Sequence, residues 1–564
     1  MRSVGLVITA ARNITLAIIS IVLLSSCAQN DVYRKEVVVR DCGTLKDEKD
    51  DDSPCQRAQI KKYITKEDMA EYYLGFVELT DQGEFHNRSQ LSNLQDTIAR
   101  LADPDGAIII VFVHGWRHNA QVGDDNVRSF SGLLEHTQEI ESAKAKIRCD
   151  EREKNTEKHA EWSPPATSYV QCPNNPGKRM RLRTVIGIYV GWRGALVQEE
   201  GWGSVLSGIL RPLAILSFWN RMDAAQRVAQ GSVRELLAGL NKLQININAQ
   251  HDRRHDEEFE KINSGVAAAD DDWTGAGPSR RDVSHATRMI TIGHSFGGLI
   301  VYEALSEHFI DGVTFTPGIR VCDHSDLKTT DVPGFGDIVF LLNPAFEGMR
   351  YDPIDQAVSI RNDCYKRYQS PILVAITSES DEYTKTAFHW GRLLATLFTQ
   401  NCLNTYNECE KTENAVGHIE SMKTHTLTGE KRVDVSLDSN TLYQECMNFQ
   451  AFDARQRPDG VFRNRWTRRY NDGTTLELVD TERKDGHNQL RANTPFWVVS
   501  ADPSVMNGHN DLNNRALFGF IRQVISDYDR ETVQREKLEA RQTNQKGARK
   551  LPEKFTCPSP RADK

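Results

Sequence analysis

Long apolar runs, more than alternating ones, set the pattern of this chain. The stretches 107–113, 184–190, 288–292, 337–342, 371–377 and 494–500 are each mostly apolar, rich in Val, Ile, Leu, Met and aromatic residues, and bounded by glycine, proline or polar residues. Runs of that length and β-branched content predict strands buried on both faces, as in a parallel sheet. Segments with helical spacing fall between them. They cover 90–101, 129–142, 222–243 (Ala225, Val228, Val233, Leu236, Leu237, Leu240), the residues after Gly298 (Leu299, Ile300, Tyr302, Ala304, Leu305) and 517–525. Apolar residues three and four apart place one stripe on one helix face. Residues 73–80 predict a first strand, with Asp81-Gln82-Gly83 turning the chain into a second short one. Strands alternating with helices predict an α/β protein whose mostly parallel central sheet is flanked by helices.

The polar stretches divide the rest. Residues 143–180, bracketed by Cys149 and Cys172, 245–285 and 390–492 are expected to be large insertions into a single domain over 66–530. Within the second of these, 251–284 is charged and glycine-rich and reads as a surface loop. His251 and His255 stand four apart there, a spacing that metal ligands use on a helix. No other ligand accompanies them, so a solvated face is expected, and neither a metal nor a cofactor is called for. Residues 205–219 are apolar but interrupted by Arg211 and Pro212. They fit either a core-covering helix pair or a lid offering an apolar face to lipid substrates. Residues 531–564 form a charged tail.

The chain has 564 residues, enough to bury a large core. Its 70 basic and 78 acidic residues give a net charge of −8 and are interspersed, which argues against nucleic acid as a partner. A mean hydropathy of −0.53 fits a soluble mature protein. The N-terminus stands apart. Residues 14–24 are an apolar run too short to span a bilayer comfortably. Leu24-Ser25-Ser26-Cys27 follows and resembles the lipobox of bacterial lipoprotein signal peptides. The resemblance implies that residues 1–26 are a signal peptide, that Cys27 carries lipid, and that 27–65 tether the domain to the membrane. With Ala28 next, it implies the outer membrane of a cell envelope. An ordinary cleaved signal peptide or an uncleaved anchor are the other readings. Setting Cys27 aside, ten of the 11 cysteines remain. An even set in an exported chain reads as disulfide-bonded. Pairing neighbours in order gives Cys42–Cys55, Cys149–Cys172, Cys322–Cys364, Cys402–Cys409 and Cys446–Cys557. Free buried thiols are the alternative.

The chemistry concentrates at Gly293-His294-Ser295-Phe296-Gly297, between an apolar strand and a helical segment. Glycines flank the serine because side chains there would collide in so tight a turn. The following helix start aims free N–H groups at the serine. This strand–turn–helix with G-x-S-x-G resembles the nucleophile elbow of the α/β-hydrolase superfamily of serine esterases and lipases. The run ending Val111-Phe112-Val113-His114-Gly115-Trp116 is similar to the third strand of its esterase-like members. The resemblance spans residues 72–530.

It implies an α/β-hydrolase fold with Ser295 as nucleophile and the backbone N–H groups of Trp116 and Phe296 as the oxyanion hole. The acid belongs after the 371–377 strand, where Asp381 is preferred and Glu379 is the reserve. The base belongs on the loop between the last strand and last helix, which selects His509 over His487, since His487 precedes that strand. His114 is expected to be structural and His118 a rim residue. The implied reaction is cleavage of a small carboxylic ester or lipid through an acyl-enzyme. An acyltransferase using the same acyl-enzyme, or a non-catalytic envelope-binding lipoprotein on the same scaffold, are the alternatives.

Overall fold

All seven residues of Ala107–Val113 are buried. Ile109, Val111 and Val113 join one apolar cluster, and Ile108, Ile110 and Phe112 join another. Successive strand side chains point to opposite faces, so a strand buried throughout needs cover on both sides. The computed structural model describes residues 32–47, 53–66, 68–103, 106–153, 169–172, 175–194, 218, 220–263, 287–314, 332–360, 365, 369–389, 392, 406–430, 441, 443–449, 467–479 and 494–543.

The strands in chain order are β1 Glu36–Asp41, β2 Ala58–Ile64, β3 Glu71–Glu78, β4 Ala107–Val113, β5 Tyr169–Cys172, β6 Asn175–Arg181 and β7 Thr184–Gly191. They continue as β8 Arg288–His294, β9 Ile338–Leu342, β10 Leu373–Ser378, β11 His425–Gly429, β12 Thr467–Arg469, β13 Thr474–Leu478 and β14 Phe496–Ala501. Twelve of them make one sheet in the order β1-β2-β3-β7-β4-β8-β9-β10-β14-β11-β13-β12, while β5 and β6 form a separate hairpin. Every pairing from β3 across to β11 is parallel. The parallel pair β1–β2 joins β3 antiparallel at one edge, and β13 and β12 close the other edge antiparallel.

The main helices are α1 Arg88–Leu101, α2 Asp125–Glu153, α3 Ser232–Asn263, α4 Phe296–Thr314, α5 Gly348–Ile360 and α6 Arg515–Thr543, with a further helical stretch over 220–230. One face of the sheet is covered by α1, 220–230, α3, α4 and α5, and the other by α2 and α6. The start of α1 illustrates the local logic. Asn87 caps it by accepting the Ser89 N–H at 3.0 Å, and Leu91, Leu94 and Ile98 then bury one stripe against the sheet. In order, β7 lies between β3 and β4, whereas β8 lies beyond β4. The chain therefore reverses its progress across the sheet between β4 and β8, and a crevice outside the carboxyl ends of such strands is where α/β sheets bind ligands.

Three expectations need correction. The 27–65 tether contains two strands of the main sheet, β1 and β2. Their alternation is hidden because Gln59 and Lys61 are buried, each at 1% exposure or less. Gln59 donates to the Phe76 and Gln90 carbonyls, and Lys61 donates to Gln56 Oε1 at 2.8 Å. A buried polar group satisfied in this way costs little, so polar letters can occupy core positions. The 390–492 stretch is not only an insertion, because β11, β12 and β13 within it extend the sheet. These strands are five, three and five residues long, and each has exposed positions. Finally, the charged start of 251–284 is not loop. α3 continues to Asn263, as α2 continues beyond 142 to Glu153. Arg, Glu and Lys are good helix formers that leave no apolar stripe when the helix is solvated.

The Cys42–Cys55 pair is bonded, with Cα atoms 5.8 Å apart, and Cys409 and Cys446 are also in disulfides. Each remaining expected pairing has a member whose side chain lies outside the described residues, as do Cys27, His487 and almost all of 205–219. Among the described residues, no helix is long and apolar enough to cross a membrane.

Candidate active site

Ser295 occupies the one-residue turn between β8 and α4, in the left-handed backbone region at φ +56°. A non-glycine residue held there costs on the order of 1–3 kcal/mol and persists only where its surroundings fix it. The end of β9 does so here. Ser295 N–H donates to the Leu342 carbonyl at 2.9 Å, and the Ser295 carbonyl accepts from the Ala345 N–H at 3.1 Å. Gly297 allows the close approach, since a Cβ there would overlap the backbone of Val113 and His114 at the end of β4.

His509 follows β14 on the loop before α6. Its Nε2 lies 2.9 Å from Ser295 Oγ, and its Nδ1 lies 2.8 Å from Asp381 Oδ2. Asp381, fully buried, follows β10. Burial pushes its carboxyl up, but the hydrogen bond and charge of His509, together with the Thr384 hydroxyl and amide, outweigh burial and hold it below its ordinary value. The ionised carboxylate only accepts, so the His509 proton sits on Nδ1 and Nε2 presents its lone pair to the serine hydroxyl. The expected Ser295, Asp381 and His509 are therefore brought into one hydrogen-bonded line from the ends of three strands.

The loops bearing the acid and the imidazole are fastened to each other. Ser378 Oγ donates to the Met506 carbonyl at 2.6 Å, and Gly508 N–H donates to Ser380 Oγ at 2.9 Å. Asn343, at the end of β9, is fully buried and adopts φ +44°. Its Nδ2 donates to the Gly508 and His509 carbonyls at 3.1 and 2.9 Å, and its Oδ1 accepts the Ser378 N–H at 2.9 Å. His294 Nε2 donates to the same His509 carbonyl at 2.9 Å. Burial first, and then the neighbouring His509, hold His294 well below the ordinary histidine range, so it is a neutral donor.

The other expected residues have clear places. Phe296 opens α4 and is buried, with its ring 4.7 Å from Phe218. As the first helical residue it has no helical carbonyl to bond. Trp116 lies just past β4, its ring edge-on to Phe218 at 5.4 Å. Gly115 brings that segment against Ser295, where a Cβ would stand 2.6 Å from the serine Cβ. Trp116 and Phe296 thus flank the elbow. The reserve Glu379 is exposed and accepts from Ser500 Oγ at 3.1 Å, away from the imidazole. His114 is structural. It accepts the Trp192 N–H at 3.0 Å and stacks on that ring at 5.6 Å, and burial lowers it to about 4. His118 bonds Asp124 in its own loop and Asn126 in the first turn of α2. Among the described residues no cluster of His, Cys, Asp and Glu has the arrangement of a metal site.

Sequence reasoning missed Asn343, His294, Thr384 and the two loop serines. A signal existed for the first two, as one adjoins the serine and the other ends the neighbouring apolar run. No protein-family model, no curated protein and no solved structure matches this chain.

Proposed function

We propose that this protein is a serine hydrolase of α/β-hydrolase fold that cleaves carboxylic esters through an acyl-enzyme on Ser295. The observation that carries the reading is the unbroken line Ser295 Oγ–His509–Asp381, built from residues 214 and 128 positions apart. A protein that used this sheet only as a scaffold has no need of that line.

The reaction follows from the geometry. His509 Nε2 takes the Ser295 proton as Oγ attacks the ester carbonyl carbon. The carbonyl oxygen becomes an oxyanion beside the Phe296 and Trp116 amides, which are fixed before the charge develops. Collapse breaks the bond to the alcohol oxygen, which leaves with the proton from His509. Water then repeats the sequence and releases the acid. Asp381 holds the imidazole tautomer and stabilises the imidazolium. Ser295 is 2% exposed, Asp381 0% and the His509 side chain 11%, so substrate approaches from the His509 side, beside the half-exposed Tyr383 ring. The same reading keeps Cys27, outside the described residues, as a lipid attachment in a cell envelope.

A fluorophosphonate probe tests the proposal on the purified chain. The wild type is expected to label at Ser295, and Ser295→Ala should lose on the order of 10⁴-fold or more in ester turnover. A folded wild type that takes up no probe, or a Ser295→Ala variant that turns over esters within tenfold of it, rejects the reading.

A further inference from the structure

Two side chains beyond Asp381 continue the hydrogen-bonded line. Thr384 Oγ1 lies 2.6 Å from Asp381 Oδ2 and 2.8 Å from His418 Nε2. The hydroxyl has one proton. An ionised carboxylate oxygen cannot donate, so at 2.6 Å that proton points at Asp381. The hydroxyl lone pair is then left to accept an N–H from His418 Nε2. Burial holds His418 down to about 4. It is therefore neutral at ordinary pH, and its ring proton sits on Nε2.

From the serine outward the order is Ser295, His509, Asp381, Thr384, His418. Both His509 Nδ1–H and the Thr384 hydroxyl bond the same oxygen, Oδ2, while Oδ1 takes the Tyr383 and Thr384 amides at 2.9 and 3.2 Å. We propose that Thr384 and His418 are positioning residues that aim the Asp381 carboxylate and restrain its pull on the His509 proton, an inference that rests on the hydrolase reading above.

The surrounding structure is arranged to hold both residues in place. Thr384 lies in the wide π-helical turn Tyr383–Ala387, directly after the acid, and such turns recur at functional sites. His418 ends the short turn Val416–His418. Val416 N–H bonds the Phe346 carbonyl at 3.1 Å. A Cβ on Gly417 would overlap the Thr377 side chain of β10, so only glycine lets the turn lie this close beneath the acid.

The charge consequence has a definite sign. A hydroxyl donating to Oδ2 competes with His509 for the same negative charge, and the His418 N–H strengthens that donation through the chain of hydrogen bonds. Removing the hydroxyl makes Asp381 a stronger partner for the imidazolium. His509 then holds its proton to higher pH, and the acid limb of the rate profile moves upward. Besides Asp381, the titratable rings facing His509 are His294, at 5.1 Å between centroids, and Tyr383, at 5.2 Å. The charged groups around His418 are Asp381, Lys423, Lys385 and Glu382. All of these are retained in the variants below.

The test is the second-order rate of fluorophosphonate labelling of the full chain as a function of pH, with folding checked by circular dichroism. Thr384→Val, which keeps the shape and loses the hydroxyl, is expected to move the acid limb up by roughly one pH unit, the effect of losing one hydrogen bond to a charged group. Thr384→Ser should retain the wild-type limb. His418→Phe should move the limb in the same direction by less, and His418→Gln, which can still offer an N–H, should restore it. If Thr384→Val does not fold, the His418 pair carries the test. An unmoved limb in folded Thr384→Val, or equal impairment of His418→Phe and His418→Gln, overturns the inference while leaving a labelled wild type as a hydrolase. A folded wild type without labelling overturns the hydrolase reading itself.

Discussion

Asn343 shows how much of the site depends on a residue that touches no reacting atom. Its carboxamide gives two hydrogen bonds to the loop carrying His509 and takes one from the strand end that precedes Asp381. It also accepts a backbone at φ +44°, which asparagine tolerates better than most residues. Alanine in its place would lose three buried hydrogen bonds and meet the left-handed penalty in full. We expect Asn343→Ala to lower the unfolding free energy by about 3 kcal/mol and to slow labelling of Ser295 by about tenfold or more, because small displacements of a general base are costly. Denaturant titration and probe kinetics measure the two effects separately. A loss of stability below about 1 kcal/mol with unchanged labelling would show that the Asn343 amide does not hold the two loops. Ser295, Asp381 and His509 were legible in the chain because each follows a strong apolar run. Thr384 and His418 were not, since their meeting depends on how the Val416–His418 turn packs beside β10.

At the level of elements, legibility followed burial on two faces. The central strands β4, β7, β8, β9, β10 and β14 lie in a continuous hydrophobic layer, so each announced itself as an apolar run. The strands at the margins did not. β1 is largely exposed, β2 carries buried Gln59 and Lys61, and β11 to β13 are short and half-covered. A strand with one wet face and buried polar partners has the composition of a loop. The edge strand β1 has a covalent tie in place of apolar cover. The Cys42–Cys55 bond closes the connection between β1 and β2 across 13 positions. By loop entropy such a closure contributes about 3 kcal/mol. Its loss should fall on local opening of β1, far from the β4–β8 boundary. Replacing both cysteines by serine is expected to raise hydrogen exchange in residues 36–41 and leave the rate of Ser295 labelling unchanged. A comparable fall in labelling would show instead that the margin of the sheet is coupled to its centre.

Over the whole molecule, protonation joins the fold to the chemistry. Among the described residues, burial holds four histidines in neutral form in the fold. Burial holds His114 and His418 down to about 4 and His425 to about 3, and with the neighbouring His509 it holds His294 well below its ordinary value. In the unfolded chain each takes up a proton as pH falls through about 6.5. Below that value the unfolded state binds more protons than the folded one, so stability is lost as pH falls and is flat above it. Each group can cost up to about 1.4 kcal/mol per pH unit, so four together remove up to about 5 kcal/mol between roughly pH 7 and 5.5. Glu78 and Asp472, whose carboxyls burial raises, bind protons more readily when folded and offset part of the loss. Against a typical total of about 5–15 kcal/mol, the remainder is a large fraction of the stability of the chain. Denaturant midpoints across this range measure it, and a fall below about 2 kcal/mol would mean that water or rearrangement lets the buried rings ionise in place. His425→Gln removes one of the four groups while leaving the serine, acid and base untouched, and should flatten the slope by about a quarter. His294 and His418 sit directly on the line that holds His509 and Asp381, and because burial keeps both neutral in the fold, they take up protons in this window only as the chain unfolds, so the site is lost with the fold. Labelling of the His425→Gln variant checks this, because its fold, and with it the site, should persist to lower pH while the hydrogen bonds around Asp381 are unchanged.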